Sequence, residues 1–370
     1  MAAPLPYPRY QRIRRHIETQ IRQGDIAVGE RIPGERELAR EYGVSQMTVN
    51  RAIQDLVRAG LLFRRVGAGT FVRSNGEDGG LTAAFPFVLV VPFTDHPEED
   101  MYLSVPFRAI CQAASEAERP LMVVQAPERD FARVVAERPE HGFIFVAPCS
   151  RSLDTLVTLS VSRVPFVVLG ASWQEAPFAC VDSDNAGGAR DAADYLVSLG
   201  HERIAFLNAP DVSANCRDRL TGYRQALAAR GLELDPDLVV EAATDRDLGE
   251  AARQRLIRLL TRAEPATAVL CAGYLLTLEL WSLLWLLRLR VPADVSVIGF
   301  DDPPSAQHLT PPLTVVRQPL WAMGERAVER LRAITPAACR PPSARGPEHL
   351  PTELVLRGSC ERRSRTTAAE

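Results

Sequence analysis

Short, wholly apolar runs alternate with helical stretches through residues 85–358, and this alternation constrains the fold more than any other feature. A strand that is apolar on both faces is buried on both faces, which is typical of parallel sheets covered by helices. The pattern breaks once and resumes, so we expect two successive sets of βαβ units. The sequence therefore predicts an α/β body of two doubly wound, parallel-sheet lobes, with ligands bound outside the carboxyl ends of the strands. The runs that carry this prediction include FPFVLVVPF, HGFIFVAP, VPFVVLGAS, RIAFLNAP, ATAVLCAG and DVSVIGFDD.

Residues 1–73 follow a different pattern, with helical spacing first and strand spacing last. Three helices are predicted, beginning in YQRIRRHIET, in GERELAREYG and, with Ser45 as its cap, in GVSQMTVNRAI. The runs LLFRR and GTFVR then predict a small hairpin. Three helices and a hairpin are typical of a winged helix-turn-helix, in which the third helix reads DNA. The buried face of that helix is predicted to be Val49, Ala52, Ile53 and Leu56.

Charge separates this head from the body. Residues 1–75 hold 13 arginines and seven acidic residues, whereas the whole chain has a formal net charge of −3. A basic head on an acidic body indicates that the head meets a polyanion.

The exposed front of the third helix is rich in hydrogen-bonding side chains. In a major groove, Gln46 or Asn50 can pair with adenine, and Thr48 can touch a thymine methyl or a phosphate. Three arginines suit phosphates: Arg9, Arg36 and Arg51. Gly67 and Gly69 allow the backbone of the wing to approach the duplex. The alternative is a solvated polar face in an ordinary helical subdomain.

The head resembles the GntR-family DNA-binding domain along its whole length, through GERIPGEREL, GVSQMTVNRA, AGLL and GAGTFV. This resemblance implies DNA contacts by Arg36, Gln46, Thr48, Asn50 and Gly67. The family usually has arginine where Gln46 stands, and often where Asn50 stands. Since arginine favours guanine whereas glutamine and asparagine favour adenine, we expect an operator richer in A·T pairs at those steps.

The body resembles the LacI/GalR effector domain, which has the periplasmic-binding-protein type I fold. The matching stretches include VDSDNAGGARDAADYLVSLGHERIAFL, RLTGYRQALAARGL, VPADVSVIGFDD and ELVLRGS. The resemblance implies two lobes joined by three crossovers, near residues 182–185, 302–312 and 335–350. A GntR-type head on a LacI-type body resembles the arabinose-repressor arrangement.

The same resemblance places Arg219 and Asp301 in the cleft between the lobes. A guanidinium fork and a carboxylate can together hold vicinal hydroxyls of a sugar, although an inter-lobe ion pair is the simpler alternative. Tyr274 is a candidate stacking residue, whereas Phe300 is expected in the core. Gly170 and Gly273–Tyr274 stand where the family usually has polar cleft groups. A different or larger effector, or a cleft that no longer binds one, therefore stays open.

The resemblance implies a homodimer on a palindromic operator. We expect effector binding to weaken DNA binding, as in a repressor, and the reverse response of an activator is the alternative. The helix YLLTLELWSLLWLLRL is apolar on nearly all sides, so we expect part of it, with Trp281 and Trp285, to lie in the dimer interface together with a helix near 103–117. Complete burial within one lobe is the alternative. Residues 74–84 are predicted to be a flexible linker, and residues 359–370 a disordered tail.

Several function classes are not expected. The chain has no lysine, which excludes pyridoxal-phosphate chemistry and P-loop ATPases. It shows no nucleophile motif, and its six histidines are scattered, so we expect no enzyme, no cofactor and no metal site. Seven cysteines without a C-x-x-C pair indicate free thiols in the cytoplasm, and no apolar run is long enough to predict a membrane span. The remaining alternative is a constitutive DNA-binding protein whose body only dimerises.

Overall fold

The computed structural model describes residues 9–23, 25–27, 29–58, 61–65, 69–72, 85–92, 101–210, 214–334 and 346–363. The predicted linker, residues 74–84, lies outside these ranges. The chain divides into two compact units, residues 1–84 and 85–370, which we call the head and the body.

The head is built as its periodicity predicts. Its elements are α1 (Arg9–Gln23), α2 (Glu35–Glu41), α3 (Gln46–Arg58), β1 (Leu62–Arg65) and β2 (Gly69–Val72). The two strands pair antiparallel, with Leu62 opposite Val72. The predicted buried face of α3 packs against Ile13 and Ile17 of α1 in one apolar cluster. The helices and the hairpin of a winged helix-turn-helix are therefore confirmed.

The body contains eight further helices and twelve further strands within the described residues. The helices are α4 (Met101–Glu116), α5 (Phe131–Ala136), α6 (Leu153–Val161), α7 (Asn185–Ser198), α8 (Ala214–Ala229), α9 (Gly249–Thr261), α10 (Tyr274–Leu286) and α11 (Leu320–Ile334). The strands are β3 (Phe87–Val91), β4 (Leu121–Gln125), β5 (Gly142–Val146), β6 (Phe166–Leu169), β7 (Ala179–Ser183), β8 (Ile204–Asn208), β9 (Val239–Glu241), β10 (Ala268–Cys271), β11 (Ser296–Phe300), β12 (Thr314–Arg317), β13 (Gly346–Leu350) and β14 (Glu353–Val355).

These strands form two six-stranded sheets, one in each lobe. Within the described residues the first lobe has the order β13-β7-β6-β5-β3-β4 and the second has the order β14-β12-β11-β10-β8-β9. Every neighbouring pair is parallel except β12 with β14, which is antiparallel. Both faces of each sheet carry an apolar cluster. The two doubly wound lobes are confirmed.

The three crossovers between the lobes lie close together, and two of them differ from the prediction. The first, from β7 to α7 at Asp184, is confirmed. The second joins β12 to α11 at Gln318–Pro319, because the turn at residues 304–308 returns the chain to a strand of the same sheet. The third joins β13 to β14 at Pro351–Thr352, because β13 still pairs with β7 in the first lobe.

The predicted disordered tail is wrong for residues 359–363. Ser359 is fully buried, its hydroxyl donates to the carbonyl of Val297, and it accepts the backbone N–H of Thr314. Arg363 donates its backbone N–H to Leu199. These residues extend the body along the amino ends of β11 and β12, and the boundary predicted at residue 358 is too early.

Candidate DNA-reading surface and inter-lobe site

The start of α3 has the geometry of a capped helix. The hydroxyl of Ser45 accepts the backbone N–H of Thr48 at 3.3 Å and lies 2.9 Å from the Thr48 hydroxyl. Gly43, with φ of 61°, makes the tight turn before it. Ser45 therefore fixes where the helix begins and holds Thr48 at its front.

The predicted DNA-reading residues differ in how free their side chains are. Gln46, Arg36 and Arg51 are exposed, whereas Thr48 and Asn50 are half-buried. The Asn50 amide donates to Glu35 of α2 at 2.8 Å. The Arg51 guanidinium lies 4.3 Å from the centroid of the Tyr10 ring, a cation–π contact that ties α3 to α1. Gly67 and the side chain of Arg9 lie outside the described residues.

Two residues of this surface were missed by the sequence analysis. Met47 is 83% exposed between Gln46 and Thr48, and an apolar side chain there can touch a thymine methyl. Met47 does not fit the helical spacing of the buried apolar residues, and this could have predicted its exposure. Glu35 was missed because its partner is 15 residues away in sequence, which no local pattern records.

Arg219 lies in a buried network at the first crossover. Its Nε–H donates to the Oδ1 of Asn185 at 2.7 Å, and its Nη1 donates to the carbonyl of Ala272. Its guanidinium lies 3.9 Å from the centroid of the Phe300 ring, which is fully buried as expected. Asn185 in turn donates to the Oδ1 of Asp182 at 3.3 Å. The network thus joins α8 and α7 of the second lobe to β7 of the first.

Asp301 has a different partner. It follows β11 with φ of 71°, a left-handed conformation that is strained for a residue other than glycine and is typical of functional sites. Its carboxylate accepts the side-chain N–H of Gln318, and the Gln318 oxygen accepts the Ser183 hydroxyl at 2.6 Å. Gln318 therefore bridges the ends of strands from both lobes. Arg219 and Asp301 both belong to this inter-lobe site, but each is bonded to its own partner and not to the other.

Tyr274 is less available than the sequence analysis assumed. It begins α10, is 6% exposed and belongs to the apolar cluster beneath that helix. Its hydroxyl donates to Ser305 at 2.8 Å. Asp302, the second carboxylate of the GFDD stretch, forms ion pairs with both Arg317 and Arg357.

Three buried oxygens near this network have no hydrogen-bond partner: Asp182 Oδ2, Asn208 Oδ1 and Asn215 Oδ1. Asp182 and Asn208 stand at the carboxyl ends of β7 and β8, and Asn215 donates across the lobes to the carbonyl of Gly170 at 3.0 Å. Burial raises the pKa of Asp182 to about 7, against the opposing effects of the Ser183 backbone N–H, the Arg219 charge and a side-chain hydrogen bond with Ser172. Buried polar atoms are normally paired. The two amide oxygens can only accept, whereas the Asp182 carboxyl donates when it is protonated and accepts when it is ionised, so the three groups indicate a place for the hydroxyls of a polar ligand.

Other kinds of site find no support among the described residues. No group of three or more histidine, cysteine or acidic side chains there could hold a metal ion. None of the helices in the described ranges is both long and apolar enough to cross a membrane.

A winged helix-turn-helix and a two-lobed body with a polar inter-lobe site define a DNA-binding regulator of the ligand-responsive class. Comparisons with known proteins agree. A model described as "Bacterial regulatory proteins, gntR family" matches residues 9–72, and one described as "Periplasmic binding protein-like domain" matches residues 193–360.

The chain belongs to the bacterial HTH-type transcriptional regulators with a LacI-type body, and its head is of the gntR family. The HTH-type transcriptional regulator AglR of Rhizobium meliloti (strain 1021) is 31% identical over 314 residues, which are 80% of this chain and 86% of the relative. The arabinose metabolism transcriptional repressor of Geobacillus stearothermophilus is 26% identical over 339 residues, 88% of this chain and 90% of the relative. A solved complex of the transcriptional regulator CelR with cellobiose is 26% identical, with a TM-score of 0.66, and covers 89% of this chain and 100% of its own.

Proposed function

We propose that this regulator is a dimeric repressor that holds a palindromic operator and releases it when a neutral carbohydrate enters the inter-lobe site. The single observation that carries the effector class is the pair of unpaired amide oxygens of Asn208 and Asn215 beside the unpaired carboxyl oxygen of Asp182. Sugar hydroxyls are O–H donors in dense array, so one sugar can satisfy several such oxygens at once. The names of two relatives, an arabinose repressor and a complex with cellobiose, support the same class.

The acceptors also argue against an anionic effector. A phosphate or a carboxylate brings acceptors and negative charge, and would leave the oxygens of Asn208 and Asn215 unpaired beside the carboxyl of Asp182. Arg219, which could receive an anion, already donates to Asn185 and Ala272. Arg219 and Asp301 are proposed to contact the sugar, with Tyr274 at the edge of the site.

A two-fold dimer is supported by apolar side chains that the described body leaves uncovered. On α10 of the second lobe, Trp285 is 77% exposed and Leu286 is also exposed, so complete burial of this helix is wrong. Phe107 of α4 in the first lobe is exposed as well. We infer that a second copy covers these faces. Trp285→Glu should halve the mass in solution, whereas Arg288→Glu on the same segment should leave the mass unchanged.

The head is proposed to read one half-site of the palindrome. Gln46, Thr48 and Asn50 would contact base edges. The groups proposed to position the head on the backbone are Arg9, Arg36, Ser45, Arg51 and Gly67. Effector and operator would be coupled reciprocally, by about 1–3 kcal/mol. The protein would act on cytoplasmic DNA, without catalysing a reaction.

The test measures thermal unfolding of the full chain, and its affinity for a selected operator, with arabinose, cellobiose, other neutral sugars and their phosphates. A sugar at 100 times its dissociation constant should add about 2.7 kcal/mol of stability, and the same sugar should weaken operator binding. Stabilisation that Asp301→Ala abolishes would support the site. A regulator that binds its operator unchanged in every sugar would instead be a constitutive DNA-binding protein with a body that only dimerises.

A further inference from the structure

The contact between Asn50 and Glu35 joins the two helices of the helix-turn-helix at the surface proposed to read bases. The Asn50 Nδ2 donates to the Glu35 Oε1 at 2.8 Å, and both side chains are half-buried. Glu35 is the first residue of α2, which follows Gly34 and has no side-chain cap. This hydrogen bond runs from the first residue of α2 to the second turn of α3. It therefore restricts the orientation of the Asn50 side chain.

The chemistry of this bond decides how Asn50 is oriented. An ionised carboxylate only accepts hydrogen bonds, so the atom of Asn50 that meets Glu35 must be the amide nitrogen. One of the two amide N–H groups of Asn50 is then used within the protein. One N–H and the carbonyl oxygen remain for DNA.

The remaining groups match one purine and not the other. Adenine presents N7 as an acceptor and its N6 amino group as a donor, so it needs one donor and one acceptor from the protein. Guanine presents two acceptors, N7 and O6, and needs two donors. Asn50 without Glu35 could turn its NH₂ group toward guanine, but Asn50 bonded to Glu35 has only one N–H left. The negative charge of Glu35 further disfavours the guanine acceptors.

We propose that Glu35 is a specificity-determining residue of the head, which positions Asn50 so that the half-site carries adenine and rejects guanine at the base pair that Asn50 meets. Glu35 acts through Asn50 and reads no base itself. Arg36, the exposed neighbour of Glu35, offsets the carboxylate charge near the phosphates. The inference rests on the placement of Asn50 at the base edges, given under the proposed function.

The experiment selects binding duplexes from a randomised pool with the full chain, and then measures each variant on duplexes that carry A, G, C or T at every position of the half-site. Asn50→Ala identifies the position that Asn50 reads. At that position the wild-type protein should prefer A over G by about tenfold or more, and Glu35→Ala should reduce this preference to about twofold. In the Asn50→Ala background, Glu35→Ala should change nothing further at this position.

Glu37→Ala is the matched control, because Glu37 is an exposed acid of the same helix. Both glutamate variants remove one negative charge, which should raise the affinity for DNA independently of its sequence. Only the Glu35 variant should also change the base preference at the position that Asn50 reads. Glu35→Gln keeps an acceptor for the Asn50 amide but adds a donor that can meet the Asn50 oxygen, so its preference for adenine should lie between those of the wild type and Glu35→Ala. Glu35→Met, similar in length but without an acceptor, replaces Glu35→Ala if that variant unfolds.

Three results would overturn the inference. The first is a Glu35 variant whose base preferences equal those of Glu37→Ala, because Glu35 would then only join two helices. The second is a further loss of preference on adding Glu35→Ala to Asn50→Ala, because Glu35 would then read a base directly. The third is an Asn50→Ala protein with no altered position, which would overturn the reading role of Asn50 as well, while leaving operator binding and the response to sugar intact.

Discussion

The Nε–H of Arg219 donates to the Oδ1 of Asn185 at 2.7 Å, so an arginine of α8 is held by the residue at which the chain first enters the second lobe. Asn185 also donates to Asp182, in strand β7, with which the first passage of the chain through the first lobe ends. A change in the angle between the lobes should therefore change the hydrogen bonds of Arg219. Through these bonds, an effector that contacts Arg219 would act on the first crossover between the lobes.

Arg219→Met should destabilise the body by about 2–4 kcal/mol, because it leaves Asn185 and the Ala272 carbonyl as buried acceptors without a donor. Methionine keeps the approximate length and packing of the side chain, so the loss reports the missing hydrogen-bond donors and the missing cation–π contact with Phe300. Urea unfolding measures it. Arg224→Met, at an exposed site on the same helix, should cost less than about 0.5 kcal/mol. Equal losses in the two variants would contradict a special role for Arg219.

Asp182→Asn should remove part of the dependence of stability on pH. Burial raises the pKa of Asp182 from 3.8 to about 7. Between these pH values the Asp182 carboxyl is ionised in the unfolded chain and protonated in the folded protein. The free energy of unfolding of the wild-type protein therefore falls as the pH rises from 4 to 7. From pH 5 to pH 8 the contribution of Asp182 to the free energy of unfolding falls by about 2–3 kcal/mol. Asp182→Asn should not show this fall, because asparagine does not titrate.

The measurement is urea unfolding at pH 5, 6, 7 and 8, taken as the difference between variant and wild type. Asp191→Asn, at an exposed site on α7, should show no such difference. A difference for Asp182→Asn that stays constant with pH would mean that Asp182 is already ionised at pH 5 in the folded protein.

The sequence was sufficient for those parts of the fold that local patterns determine. Most apolar runs became buried parallel strands, although the edge strand β4 is partly exposed. The spacing of Ile13 and Ile17 and of Val49 and Ile53 predicted the packed faces of α1 and α3. Each of these predictions depends only on which faces of a single helix or strand are buried, and the apolar periodicity of that segment indicates those faces. Ser45 was likewise recognisable, because a cap and its partner Thr48 are three residues apart.

The parts that failed depend on contacts between distant residues. Two crossovers were misplaced because strand order, and not strand pattern, decides which sheet β12 and β13 join. The pairing of Gln318 with Ser183 spans 135 residues and left no trace in either local sequence. Asp182 was overlooked because an acid inside an apolar strand reads as a solvent-facing position, whereas here it is fully buried.

Removal of residues 359–363 should destabilise the second lobe, although their composition resembles that of a disordered tail. The Ser359 hydroxyl donates to Val297 and accepts from Thr314, while the carbonyl of Glu361 lies 3.2 Å from the Nε2 of buried His201. A chain ending at Gly358 should lose about 2–4 kcal/mol, from several hydrogen bonds and the exposure of His201. A chain ending at Arg363 should match the full-length protein in urea unfolding. Equal stability of the two truncated chains would refute the packing of this segment.

Substitutions of Arg36 and Gln46 should distinguish phosphate contacts from base contacts in the head. Arg36→Ala should weaken binding to preferred and scrambled duplexes alike and lower the slope of log affinity against log salt by about 1, because one phosphate contact is lost. Gln46→Ala should cost about 1–3 kcal/mol on the preferred duplex and relax one base position, with the slope unchanged. Fluorescence anisotropy from 50 to 200 mM salt measures both quantities. An Arg36 variant that changed base preference, or a Gln46 variant that changed only the salt slope, would reverse these assignments and place α2 at the base edges in the groove.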